Sequence, residues 1–220
     1  MKAADAIATL IPFLQENGFS RSGLWFYRIC GDLAQCVVFE TPSLLYCRYC
    51  VIPLFFPCEF RYCTFGNRLT SEQGRPITLK LSVSSAYDSA QWAQNVKEKL
   101  CTDIFPFFRQ ISDVRKLRGW LNTPDISKYF FSPILWLEAL RGHAAFYMGD
   151  FVELRCAVEE VQKRVNMNDC FAPEIKEDIL NHLTVCLSFQ GRPPHEKEAY
   201  LQTVMKNTLA ICFPHYRSRI

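Results

Sequence analysis

Apolar residues recur at Ala3, Ala6, Ile7, Leu10, Ile11 and Leu14, the i, i+3, i+4, i+7 spacing of an amphipathic helix over residues 3–16. Asn17-Gly18 supplies a left-handed stop, and Pro12 inside the run predicts a kink or a break into two short helices. Strand patterns follow. Leu24 to Cys30 and Leu33 to Glu40 are rich in aromatic and β-branched residues and flank Gly31-Asp32, a hairpin signal. Leu45 to Ile52 predicts a third strand, ended by Pro53, and Phe60 to Phe65 a fourth. Residues 77–83 alternate, with Ile77, Leu79, Leu81 and Val83 inward and Thr78, Lys80 and Ser82 outward. The intervening stretch, Gly66 to Pro76, carries two glycines, a proline and several polar residues and is read as a mobile loop.

The period then lengthens to about 3.6 residues. Asp88 and Gln91 have the spacing of a capping box, and Trp92, Val96, Leu100 and Ile104 mark one face of the helix it would open. Pro106 interrupts that helix, and a shorter one is expected over Ser112 to Leu121. Asn122-Thr123-Pro124-Asp125 is the clearest boundary. Beyond it every pattern is helical. Ser132-Pro133 forms an N-cap and first-turn proline for a helix running to Met148, stopped by Gly149. Asp150 and Glu153 open a second, faced by Phe151, Leu154, Val158, Val161 and Val165. A third carries Ile175, Ile179, Leu183 and Cys186 and ends at Gly191, before Pro193-Pro194; a fourth carries Leu201, Val204, Met205 and Thr208. The fold class expected is α+β: an N-terminal helix and an antiparallel sheet of about four to five strands with flanking helices over residues 1–122, then an all-helical half of two helical hairpins over 126–220.

The turn glycines of the two hairpins, Gly149 and Gly191, lie 42 residues apart, within the range of helical-repeat proteins. Trp136, Ala139, Ala144, Phe146-Tyr147 and Gly149-Asp150 loosely resemble a tetratricopeptide repeat, although the second hairpin repeats only the glycine. Two hairpins are fewer than the roughly three repeats a freestanding solenoid needs, so they must bury a face against the N-terminal half or a partner.

Composition changes this picture little. A chain of 220 residues, 49% hydrophobic and with 18 phenylalanines, can bury a sizeable core without staples. A net charge of +3 is too small to argue for nucleic acid or an anionic membrane. No apolar run approaches the roughly 20 residues of a membrane span: the most apolar, Val51 to Phe56, contains Pro53. The first residues carry no basic segment beyond Lys2 and no cleavage site, so a cytoplasmic location is expected, with the eleven cysteines as reduced, buried thiols.

Cys47, Cys50, Cys58 and Cys63 form the sharpest cluster, Cys-x2-Cys-x7-Cys-x4-Cys. Four thiolates could hold zinc tetrahedrally, but Cys47 and Cys50 lie in a strand-like run, where residues three apart point to opposite faces. A redox pair there would need a helix N-terminus that the sequence does not offer. The four histidines, His143, His182, His195 and His215, make no ligand-spaced pair with one another, and His143 falls within an apolar helix, as a hydrogen-bonded core histidine would. A Cys–His nucleophilic pair such as Cys186 with His143 would leave little trace in sequence, because such pairs assemble in space. Arg109, Arg115, Lys116 and Arg118, followed by Trp120, combine cations with an aromatic, but Asp113 interrupts them and a solvated helix face accounts for them. Asp32, Glu40, Glu59 and Glu72 are isolated acids, and no phosphate loop, nucleophile elbow or zinc-protease motif occurs.

The first forty residues carry a resemblance. A helix ends in Asn17-Gly18-Phe19; Phe26-Tyr27-Arg28, Gly31-Asp32-Leu33, Gln35 and Val37-Val38-Phe39 follow. This is similar to the start of a bacterial family known as domain of unknown function 4304, over about residues 7–40. The resemblance implies an α+β domain and brings no activity or site residues with it. Its small bacterial character is similar to that of immunity proteins, which neutralise toxins by binding. The expectation is therefore a non-enzymatic protein-binding module with no cofactor and with neither nucleic acid nor membrane as partner. The alternatives are an enzyme or small-ligand protein with its site near Asn122 to Asp125, and a zinc-stabilised domain.

Overall fold

The computed structural model describes residues 3–41, 44–57, 65–81, 86–123, 126, 134–165 and 173–213. They gather into two compact units, one of Met1–Ile52 with Phe65–Ser112, the other of Pro53–Thr64 with Asp113–Ile220. The fold is α+β, an antiparallel sheet with helices followed by an all-helical C-terminal half.

In the first unit the opening helix breaks into α1 (Ala3–Ala8) and α2 (Ile11–Glu16), with Pro12 in the first turn of α2 where its missing N–H costs no bond. Gly18, at φ 82°, ends α2. The strands are β1 (Ser20–Ser22), β2 (Trp25–Cys30), β3 (Leu33–Glu40), β4 (Leu45–Pro53), β5 (Phe65–Arg68) and β6 (Thr78–Leu79), in the order β1-β2-β3-β4-β5. Gly31-Asp32 makes the expected two-residue hairpin, since Cys30 pairs with Leu33. Along one edge of β4, β5 pairs with Arg48–Val51 and β6 with Leu45–Tyr46.

Two expectations are corrected here. The stretch from Gly66 to Pro76 is not a loose loop. Its first residues belong to β5, a bridge joins Thr70 to Pro76, and the Ile77 N–H donates to Leu69 O. Gly66 reads as a breaker in sequence, but it is required: a Cβ there would lie 2.0 Å from Tyr49 O. Asp88 is not an N-cap, because α3 (Ala86–Lys99) begins two residues earlier and places it in the first turn. Residues 60–64 of the expected fourth strand, Ser82 and Val83, and the Ser132-Pro133 cap lie outside the described residues.

Beyond α3 the chain makes one wide π-helical turn, Leu100–Ile104, before α4 (Phe105–Gln110), and the Phe105 N–H donates five residues back to Leu100 O. The turn absorbs Pro106, which cannot donate within a continuous helix. These helices bury aromatic rings against the sheet. Trp92 packs on Phe39, Phe107 on Tyr49, and Phe105 on Phe13 and Phe19. Two polar residues lock the layers. Gln35, buried in the central strand, donates to Phe108 O at 2.7 Å and Ile111 O at 3.4 Å, satisfying carbonyls at the end of α4. Across the hairpin Arg28 donates to Gln35 Oε1 at 2.8 Å and to Asn17 O at 3.0 Å, and lies 4.7 Å from the centre of the Phe19 ring.

The second unit contains α5 (Val114–Leu121), α6 (Ile134–Met148), α7 (Phe151–Val165), α8 (Pro173–Leu187) and α9 (Pro194–Cys212). The sequence reading sets α5 ahead of the boundary at 122–125, whereas α5 groups with the helices that follow. Asp113 caps α5 through the Lys116 N–H. Gly149 and Gly191, at φ 78° and 81°, turn the two expected hairpins. Asp150 caps α7 by accepting from the Glu153 N–H, and Arg118 pairs with both Asp150 and Glu153. Helices α6, α7 and α8 come together at Gly142, where a Cβ would stand 2.7 Å from Leu183 Cδ2 and 3.1 Å from Ala157 Cβ. None of the described helices is long and apolar enough to cross a membrane.

Candidate functional site

Helix α9 is held at its two ends by different neighbours. Near its start Tyr200 packs on Phe146 of α6 and on Phe189 beyond α8, with ring centroids 5.9 and 5.1 Å away. Lys197 Nζ donates to Tyr147 O at 3.4 Å. Near its end Thr208 Oγ1 donates to Phe56 O at 2.9 Å. Phe56 belongs to the Pro53–Pro57 segment, whose side chains pack on α6: Phe55 on Tyr147 at 5.0 Å and Phe56 on His143 at 4.6 Å.

Between these anchors α9 leaves a groove of about 320 Å³, lined by Pro57, His182 of α8, and Tyr200, Thr203, Val204, Asn207, Ala210 and Ile211 of α9. Tyr200, Val204, Asn207 and Ile211 follow the i, i+4, i+7, i+11 spacing of one helix face. Leu201 and Thr208, one position along, are buried. The apolar arc of α9 is thus wider than its own packing uses. Ile211 is 43% exposed, and Val185 on α8 is 44% exposed.

Behind the groove lies a cysteine–histidine pair that the sequence offered only as an example of partners that assemble in space. Cys186 Sγ and His143 Nδ1 are 3.7 Å apart, both buried, and Tyr200 hydrogen-bonds to the Cys186 thiol. The environment keeps both groups neutral. Burial pushes the thiol up to about 12, outweighing the Tyr200 hydrogen bond, and burial, helped by the charge on His182, pushes the imidazole down to about 3. A thiolate–imidazolium nucleophile needs the opposite shifts. Burial also raises the Tyr200 hydroxyl. The trio is a buried polar contact at the core of the hairpins, as a core histidine would make.

The remaining candidates separate. Cys47 and Cys50 are both buried on β4, and burial raises the Cys47 thiol, with Glu40 adding to the effect. Cys58 and Cys63 lie outside the described residues, as do Glu59 and His215. His195 is exposed at the start of α9. Of the basic cluster, Arg109 belongs to α4 in the first unit, Arg115 and Lys116 are exposed on α5, and Arg118 is engaged by Asp150 and Glu153. Glu40 pairs with Arg68 at 2.9 Å and Arg48 at 3.5 Å. At the boundary Thr123 Oγ1 donates to Trp120 O, and Pro124 and Asp125 lie outside the described residues. Sequence reasoning missed Tyr200, Asn207 and Ile211 as a set; the available signal was the second apolar stripe on α9.

No protein-family model, curated protein or solved structure matches the chain.

Proposed function

We propose that the chain is a protein-binding module and that its helical unit takes an amphipathic helix of a protein partner along α9. The observation that carries this reading is the half-used face of α9, with Ile211 exposed and Val204 half-buried beside a polar rim of Thr203, Asn207 and His182. Helices α6, α7 and α8 of this unit pack on one another, and α9 offers a partly open face with no further helix after it among the described residues. A partner helix with aliphatic residues at matching spacing would bury it, the helix-in-groove mode of recognition. The neutral state of the Cys186–His143 pair supports binding over thiol chemistry at the same place. Toxin neutralisation, the activity of immunity proteins, is one form this binding could take.

The test is capture from a lysate of the source organism with the tagged full chain. Val204→Glu and Ile211→Glu place charge in the groove, while Val152→Glu on α7, 76% exposed in the native chain, is the control. A stoichiometric partner retained by V152E and lost by both groove variants supports the reading. Capture that survives the groove variants, or no partner at all, refutes it.

A further inference from the structure

We draw no further inference here: the strongest candidate, the polar cavity between the 71–80 hairpin and the first turns of α3, is bordered by Lys80 and Asp88 side chains that are already engaged, and nothing else in the structure points to a ligand there.

Discussion

At Cys186 and His143 two groups that could do chemistry stand 3.7 Å apart, and their surroundings prevent it. With the thiol near 12, the thiolate fraction at pH 7 is on the order of one in 100,000. In the native chain iodoacetamide should therefore label exposed Cys101 and Cys156 long before Cys186, as read by peptide mass spectrometry. Labelling of Cys186 at the rate of Cys101 would contradict its burial. His143 carries a second consequence. Its folded value, near 3, lies below its ordinary 6.5, so between the two the unfolded chain binds a proton that the folded chain refuses. Its contribution is complete above about pH 6.5 and declines as pH falls toward 3, by at most about 1.4 kcal/mol per pH unit. Denaturant melts at pH 7, 6 and 5 should show that slope, and His143→Gln should flatten it even though the variant is weaker throughout. Gly142 is a packing residue of the same core. Gly142→Ala should cost roughly 1–3 kcal/mol, because Leu183 and Ala157 already occupy the space. Gly119→Ala, with nothing within 4 Å, should be neutral or stabilising by up to about 1 kcal/mol. These residue-scale contacts were poorly legible in sequence. Cys186 and His143 meet only because α6 and α8 adjoin, and Gly66 looks like a loop residue until the backbone of Tyr49 is placed against it.

Whole elements were far more legible, because periodicity reports on which face is buried. The break at Pro12, the Gly31-Asp32 hairpin, the Asp150 cap and the four C-terminal helices all follow from local spacing and punctuation. The failures are also physical. Strand β1 is three residues long, too short for a period to show, β6 takes up only two residues of the alternating stretch over 77–83, and Asp88 imitates a cap from inside the first turn. The motif that suggested a family proves structural in its polar members, since Arg28 and Gln35 close the ends of α2 and α4 on the sheet. Gln35→Leu should leave the Phe108 and Ile111 carbonyls and the Arg28 Nε–H short of a partner. The expected cost is about 1–3 kcal/mol, read as a lower denaturation midpoint with an unchanged m-value. An unchanged midpoint would show that water replaces the amide without loss.

At the scale of the molecule, the chain divides into two compact units, and the helical one carries a groove along α9. The stripe on α9 is legible in residue order, but Pro57 and His182, which complete the lining of the groove, are brought to it only by the fold. The central claim is that the open face of α9 receives a partner helix. A photo-crosslinking amino acid at Asn207, within the groove, and another at Val152, on the exposed face of α7, test it most directly in lysate of the source organism. The account predicts one crosslinked protein from position 207, mapping to an amphipathic helix of that protein, and none from position 152. Equal crosslinking from both positions, or none from 207, would contradict it.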